Sequence, residues 1–346
     1  MDGTHRNSLG DRSANDSLTA SVSAEVERDL GALVPPVAVH APAPRSMAAA
    51  WTMLRAVVVE PGLVDRTTKE AVATAVAHGN GCRCCEELHL TVLESLNRRR
   101  VDCELSTLAD QRVRRVTEWA RTAGRVRPFA DGHVPELVGT VVVSHYLDRM
   151  ATVLSDRTSR LADHEVRRVA ARASRVARVG RAWLPPGELP VDMGWARGRP
   201  SVADAFGRAA AVLSGSVVSE SVRAVVSGRL AQWLGEVPED DEWLGAALAG
   251  LVAADVAVGR LALLTAIAPR RVDPVLVDVV RERWGEPALV ETVAWAAFAG
   301  ARRIATWLAA DVNGEVPQPE DARVIPFRRP VARRAVPGPE QRQAEV

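Results

Sequence analysis

The chain has 346 residues, with 44 Lys+Arg against 43 Asp+Glu, for a formal net charge of +1. Near-neutrality excludes a chain-wide field built to hold nucleic acid, and an ordinary balance of 47% hydrophobic and 25% charged residues excludes a disordered polyelectrolyte. Three of the four cysteines (Cys82, Cys84, Cys85) fall within four consecutive positions, with Cys103 further on, which excludes a disulfide scaffold and points to one local site.

The first thirty residues are polar and rich in Ser and Asp, without the apolar run of a secretory signal. Residues 1–44, closing in the Pro-rich VPPVAVHAPAPR, are predicted to be a flexible arm. Apolar residues then recur at helical spacing and predict helices over 45–59, 66–79, 82–96, 106–123, 135–154 and 160–180. A Pro- and Gly-rich connector over 181–200 separates this N-terminal half, 45–180, from a cysteine-free helical half, 201–315. That second half is predicted to carry helices over 201–213, 217–234, 241–268, 272–283 and 287–310, and it reads as a candidate degenerate repeat. Ser106, Ser201 and Asp241 are predicted N-caps. Residues 316–346 combine prolines and charge at a density that predicts a disordered tail. Strand signal is nearly absent, so the fold class is all-α.

The most apolar stretch, Trp243–Ala268, is interrupted by Asp255 and Arg260 and reads as a buried helix pair, not a membrane span. With no signal segment and with exposed-looking redox cysteines, the expected location is cytoplasmic. Lysine occurs once, at Lys69, so a Schiff-base mechanism has a single candidate.

The chemistry concentrates between residues 67 and 89. Gly79-Asn80-Gly81 tolerates left-handed backbone and ends one helix, so that Cys82 opens the next, where the N-terminal dipole favours a thiolate. Cys82 and Cys85 are three apart and can close a small disulfide; His89 follows Cys85 by one turn on the same face. Glu70, on the preceding helix, can orient His89 if the two helices pack antiparallel. These are the parts needed to reduce a peroxide through a sulfenic acid and a disulfide. The bland alternatives are a capping box of Thr67 with Glu70, a core role for His89, and a thiol pair without catalysis. A zinc site is disfavoured because, at about 100° per residue, Cys84 would stand about 200° around the helix from Cys82. Cys84 is thereby placed away from the working pair, and Cys103 is read as an incidental thiol.

The array E-x11-C-x2-C-x3-H, formed by Glu70, Cys82, Cys85 and His89, resembles the core of the alkyl hydroperoxidase D-like group of the carboxymuconolactone decarboxylase family. Weaker similarity runs through Pro135–Met150 and into the second half, as in long bacterial members. The resemblance implies an all-α fold, a homo-oligomer, and a thiol peroxidase. In that cycle Cys85 forms the sulfenic acid, Cys82 resolves it, and Glu70 with His89 relays protons. It implies a small hydroperoxide as substrate and an external dithiol reductant, lipoyl-bearing or thioredoxin-like. No cofactor, metal ion, nucleic acid or membrane partner is expected. His145, Tyr146 and Arg149 are candidate pocket-lining residues, with Arg149 placed to hold an anionic group. In similar proteins an Asn is expected at the position of Asp148, and a His or aromatic at that of Cys84. The arginines at 160, 167, 168, 172, 175, 178 and 181 read as a solvated face, or as a dock for an acidic redox partner. The competing functions are a thiol–disulfide oxidoreductase or redox sensor without peroxide turnover, and a decarboxylase-type lyase.

Overall fold

Apolar residues at spacings of three and four fold the chain into helices, with no strand among the described residues. A computed structural model describes residues 4–98, 100–102, 105–122, 126–155, 160–175, 180–238 and 240–309. The helices in chain order are α1 (Thr4–Leu30), α2 (Pro35–Ala38), α3 (Pro44–Leu54), which continues as a π-helical turn over Arg55–Val59, α4 (Arg66–Asn80) and α5 (Arg83–Asn97). There follow α6 (Gln111–Thr122), α7 (Val134–Leu154), α8 (Asp163–Arg172), α9 (Pro200–Val212) and α10 (Glu220–Gln232). The chain closes through α11 (Glu242–Leu248), α12 (Ala253–Ile267), α13 (Pro274–Trp284) and α14 (Glu286–Ala309).

The organising element is α7. Its sequence VPELVGTVVVSHYLDRMATVL offers no continuous polar face, and a helix of that kind must be enclosed on all sides. Every residue from Val134 to Ala151 is buried. It packs between α4 and α14, so a helix of the N-terminal half is also the floor of the C-terminal one. One apolar core therefore runs through both halves, from Val22 and Trp51 through Val142 to Phe298. Behind α14 lies α12, brought close by Gly300: a Cβ there would stand 2.4 Å from the carbonyl oxygen of Ala266.

Several predicted elements are corrected. The N-terminal segment is not an arm: α1 sits on α3, with Val22 and Val26 fully buried. Leu18, Val22, Val26 and Leu30 recur every four residues on one face, a period hidden among Ser and Asp. Buried polar contacts lock the same helix down. Arg55 Nη1 donates to Glu25 at 3.2 Å and to Asp29, and Trp51 Nε1 donates to Glu25 at 3.1 Å.

Ser106 is not an N-cap. The Asp102 carboxylate accepts from the amides of Ser106 and Thr107 in a turn, and α6 starts only at Gln111. Arg199, not Ser201, precedes α9, whose first residue is Pro200. Asp241 does stand before α11, but its carboxylate pairs with Arg260 and Arg271 instead of capping. The Arg-rich helix is shorter than its charge pattern suggests and stops at Arg172. The apolar Trp243–Ala268 stretch resolves into α11 and α12. No helix of the described residues is long and apolar enough to cross a membrane. The predicted tail over 316–346 and Cys103 lie outside the described residues.

Candidate active site

The N-terminus of α4 fixes the acid of the site. Asp65 is the N-cap, accepting from the Thr68 amide at 2.9 Å and from the Thr68 hydroxyl at 2.7 Å. The capping role open to Glu70 is thus filled by another residue, and Glu70 turns inward to 1% exposure. There one carboxylate oxygen accepts from His89 Nδ1 at 2.7 Å and the other from Arg66 Nε at 2.5 Å. Burial alone would push the Glu70 carboxyl up, but the Arg66 charge and the His89 hydrogen bond outweigh it and hold it below its ordinary range. Glu70 is therefore an anion at neutral pH, and it holds the imidazole by one nitrogen.

The α4–α5 junction presents the thiols. Gly81 ends α4 in left-handed geometry at φ +67°. Cys82 is the N-cap of α5, and Cys85 lies one turn inside it. The two are joined as a disulfide with Cα atoms 5.4 Å apart. Residues four apart share a helix face, so His89 and Cys85 lie on one side of α5, one turn apart. The predicted exile of Cys84 is corrected. Cys82 has extended backbone (φ −83°, ψ 92°), so helical rotation begins only after it. Cys84 Sγ consequently lies 3.6 Å from Cys82 Sγ and 4.0 Å from Cys85 Sγ. Burial, with Asp148 nearby, pushes the Cys84 thiol up to about 11.

The wall opposite is the last third of α7. Ala151 packs with Ala77 against Cys82 and Cys85. Asp148 accepts from Asn80 Nδ2 at 2.6 Å, which ties α7 to the glycine loop. Burial raises the Asp148 carboxyl to about 7. His145 Nδ1 is 3.0 Å from Asn80 Nδ2 and 3.2 Å from Arg149 Nη1, and burial holds its imidazole well below its ordinary range. Burial also lowers Arg149, to about 10.

Of the three pocket candidates, the structure therefore brings His145 to the loop through Asn80, with Arg149 behind it. Arg149 is engaged internally, donating to the carbonyls of Ala266 at 3.2 Å and His145 at 3.0 Å. Tyr146 is turned elsewhere, about 200° around α7 from Asp148. Its hydroxyl meets His40 Nε2 at 2.8 Å, and its ring lies edge-on to Phe298. An exposed guanidinium at the loop is that of Arg270, from the turn after α12, which lies over Gly81: a Cβ there would be 2.8 Å from its Nη1.

Sequence reading missed Arg66, Asn80 and Arg270 as parts of this site. Arg66 was signalled by its i, i+4 relation to Glu70; Asn80 stands in the turn before Cys82, but its bond to Asp148 and the approach of Arg270 are tertiary contacts.

The sequence model of the carboxymuconolactone decarboxylase family matches residues 45–97, which span α3 to the end of α5. The chain is also 33% identical over 321 residues to alkyl hydroperoxide reductase Rv2159c of Mycobacterium tuberculosis, covering 86% of this chain and 92% of that one. No solved structure matches it.

Proposed function

This chain belongs to the alkyl hydroperoxidase D-like part of the carboxymuconolactone decarboxylase family, and on that premise we propose that it is a thiol peroxidase acting on small hydroperoxides. The observation that carries this reading is the Glu70–His89 hydrogen bond of 2.7 Å, set one helical turn from the Cys82–Cys85 pair.

With the pair reduced, Glu70 holds the Nδ1–H tautomer of His89 and leaves Nε2 to take the Cys85 proton. The Cys85 thiolate attacks the outer oxygen of the hydroperoxide; the O–O bond breaks, the sulfur becomes a sulfenic acid, and His89 returns its proton to the departing alkoxide. Cys82 then condenses with the sulfenic acid, forming the disulfide and releasing water. An external dithiol, lipoyl-bearing or thioredoxin-like, reopens the pair by exchange, and two electrons balance one hydroperoxide reduced to alcohol and water. The chain would work as a homo-oligomer in the cytoplasm.

Stoichiometric cumene hydroperoxide added to reduced protein should consume two thiols per chain and yield one cumyl alcohol. Cys85→Ser should abolish this turnover, and Cys82→Ser should leave a sulfenic acid that dimedone traps. Wild-type turnover by Cys85→Ser would refute the assignment. Thiol loss with disulfide donors but not with hydroperoxide would establish the thiol–disulfide oxidoreductase instead. The lyase reading is disfavoured by the paired cysteines, which that chemistry does not use.

A further inference from the structure

Cys84 has no place in the cycle above, yet it stands inside the site. The three sulfurs of Cys82, Cys84 and Cys85 all lie within 4.8 Å of one another, and among the described residues no imidazole or carboxylate atom joins them. Two edges of that triangle measure 3.6 and 4.0 Å. The third, now the disulfide, opens when the pair is reduced. Three thiolates about a central atom with bonds of about 2.3 Å, as in thiolate–zinc sites, stand roughly 3.5–4.0 Å apart. Two edges of the triangle therefore already have the spacing of a three-coordinate, all-sulfur site, and reduction frees the third; soft sulfur ligands select soft ions.

Charge narrows the choice. Cys82 and Cys85 are buried, Cys84 is half-buried, and the buried Asp148 carboxyl is close enough to act on Cys84. Three thiolates on zinc or on cuprous ion leave a net negative cluster beside that acid, which burial penalises; zinc would also have to bring a water as its fourth ligand into that site. Trivalent arsenic with three thiolates is neutral and naturally pyramidal.

We propose that the reduced chain holds trivalent arsenic in a three-sulfur site made by Cys82, Cys84 and Cys85. Arsenous acid condenses with three thiols: three As–O bonds break, three As–S bonds form, and each thiol proton leaves with a hydroxyl group as water. No electrons change hands. The occupied site cannot close the Cys82–Cys85 disulfide, so one set of thiols serves either peroxide or the metalloid.

The test uses the full chain, reduced with a phosphine that is then removed anaerobically, and titrated with sodium arsenite. Arsenic retained through gel filtration should reach one atom per chain, X-ray absorption should count three sulfur neighbours, and Cys103→Ser should behave as wild type. Cys84→Ser and Cys84→Ala should each bind at least about tenfold more weakly, because the third ligand's effective concentration is lost. Two sulfur neighbours in the wild type would overturn the site without recourse to any variant. So would unchanged affinity in both Cys84 variants, or no retained arsenic. No peroxide enters the experiment, so its outcome is separate from that of the peroxidase assay.

Discussion

At Glu70 a guanidinium and an imidazole share one buried carboxylate, and the kinetics of Cys85 should depend on that charge. Glu70→Gln keeps the shape but removes the anion that would face an imidazolium at His89. The rate of the first hydroperoxide step should fall roughly 100-fold, with its pH profile displaced upward. Stopped-flow traces across pH read this directly, and an unmoved profile would remove Glu70 from the relay. Asp148 carries the opposite perturbation. Its folded value of about 7 lies above the ordinary 3.8, so between those values the folded chain keeps a proton that the unfolded chain has lost. Stability contributed there is present below about pH 4 and is lost as pH rises toward 7. Asp148→Asn retains an acceptor oxygen for Asn80 and does not titrate. It should match wild type near pH 4 and exceed it by up to about 4 kcal/mol near pH 8, from about 1.36 kcal/mol per unit. Urea melts at the two pH values check this. An equal advantage at both would show that the gain is not electrostatic.

The α4–α5 hairpin shows what local sequence can and cannot say. Its two helices, the left-handed Gly81 and the E-x11-C-x2-C-x3-H array were legible because each depends on spacing within one element or on one turn. The position of Cys84 was not, because it depends on the backbone angles of a single N-cap residue: helical rotation applied from Cys82 onward sends the third sulfur the wrong way. Asn80 was visible as a turn former, but its partner Asp148 is 68 residues away and only packing unites them. At Gly81 the strain of any side chain is in the backbone. The Arg270 guanidinium above it is the far end of a flexible side chain and can withdraw. Gly81→Ala should therefore cost about 1 kcal/mol, and adding Arg270→Ala should recover none of it. Recovery in the double variant, read from thermal melts, would place the cost in the side-chain contact.

Across the whole molecule, the two halves distinguished by composition share one core through α7, and α1 belongs to it too. A Ser- and Asp-rich segment with an apolar residue every fourth position reads as an arm until α3 is there to receive it. Deleting residues 1–33 should strip Glu25 and Asp29 from the buried Arg55 and leave Glu60 as its carboxylate partner among the described residues. A loss of at least about 3 kcal/mol is expected, the range seen when one side of a buried ion pair is removed. A denaturant midpoint unchanged by the deletion would show that α1 is dispensable.

The all-round burial of α7 also has a consequence in time. The helix is complete at Leu154, but α14, which covers one of its sides, ends only at Ala309, 155 residues later. At roughly 5–20 residues per second of synthesis, that side stays bare on the ribosome for about 8–30 s. During that interval the nascent chain offers a stripe of valine and leucine to whatever is near, so its yield in the cell should depend on a chaperone that holds α7 until its cover is made.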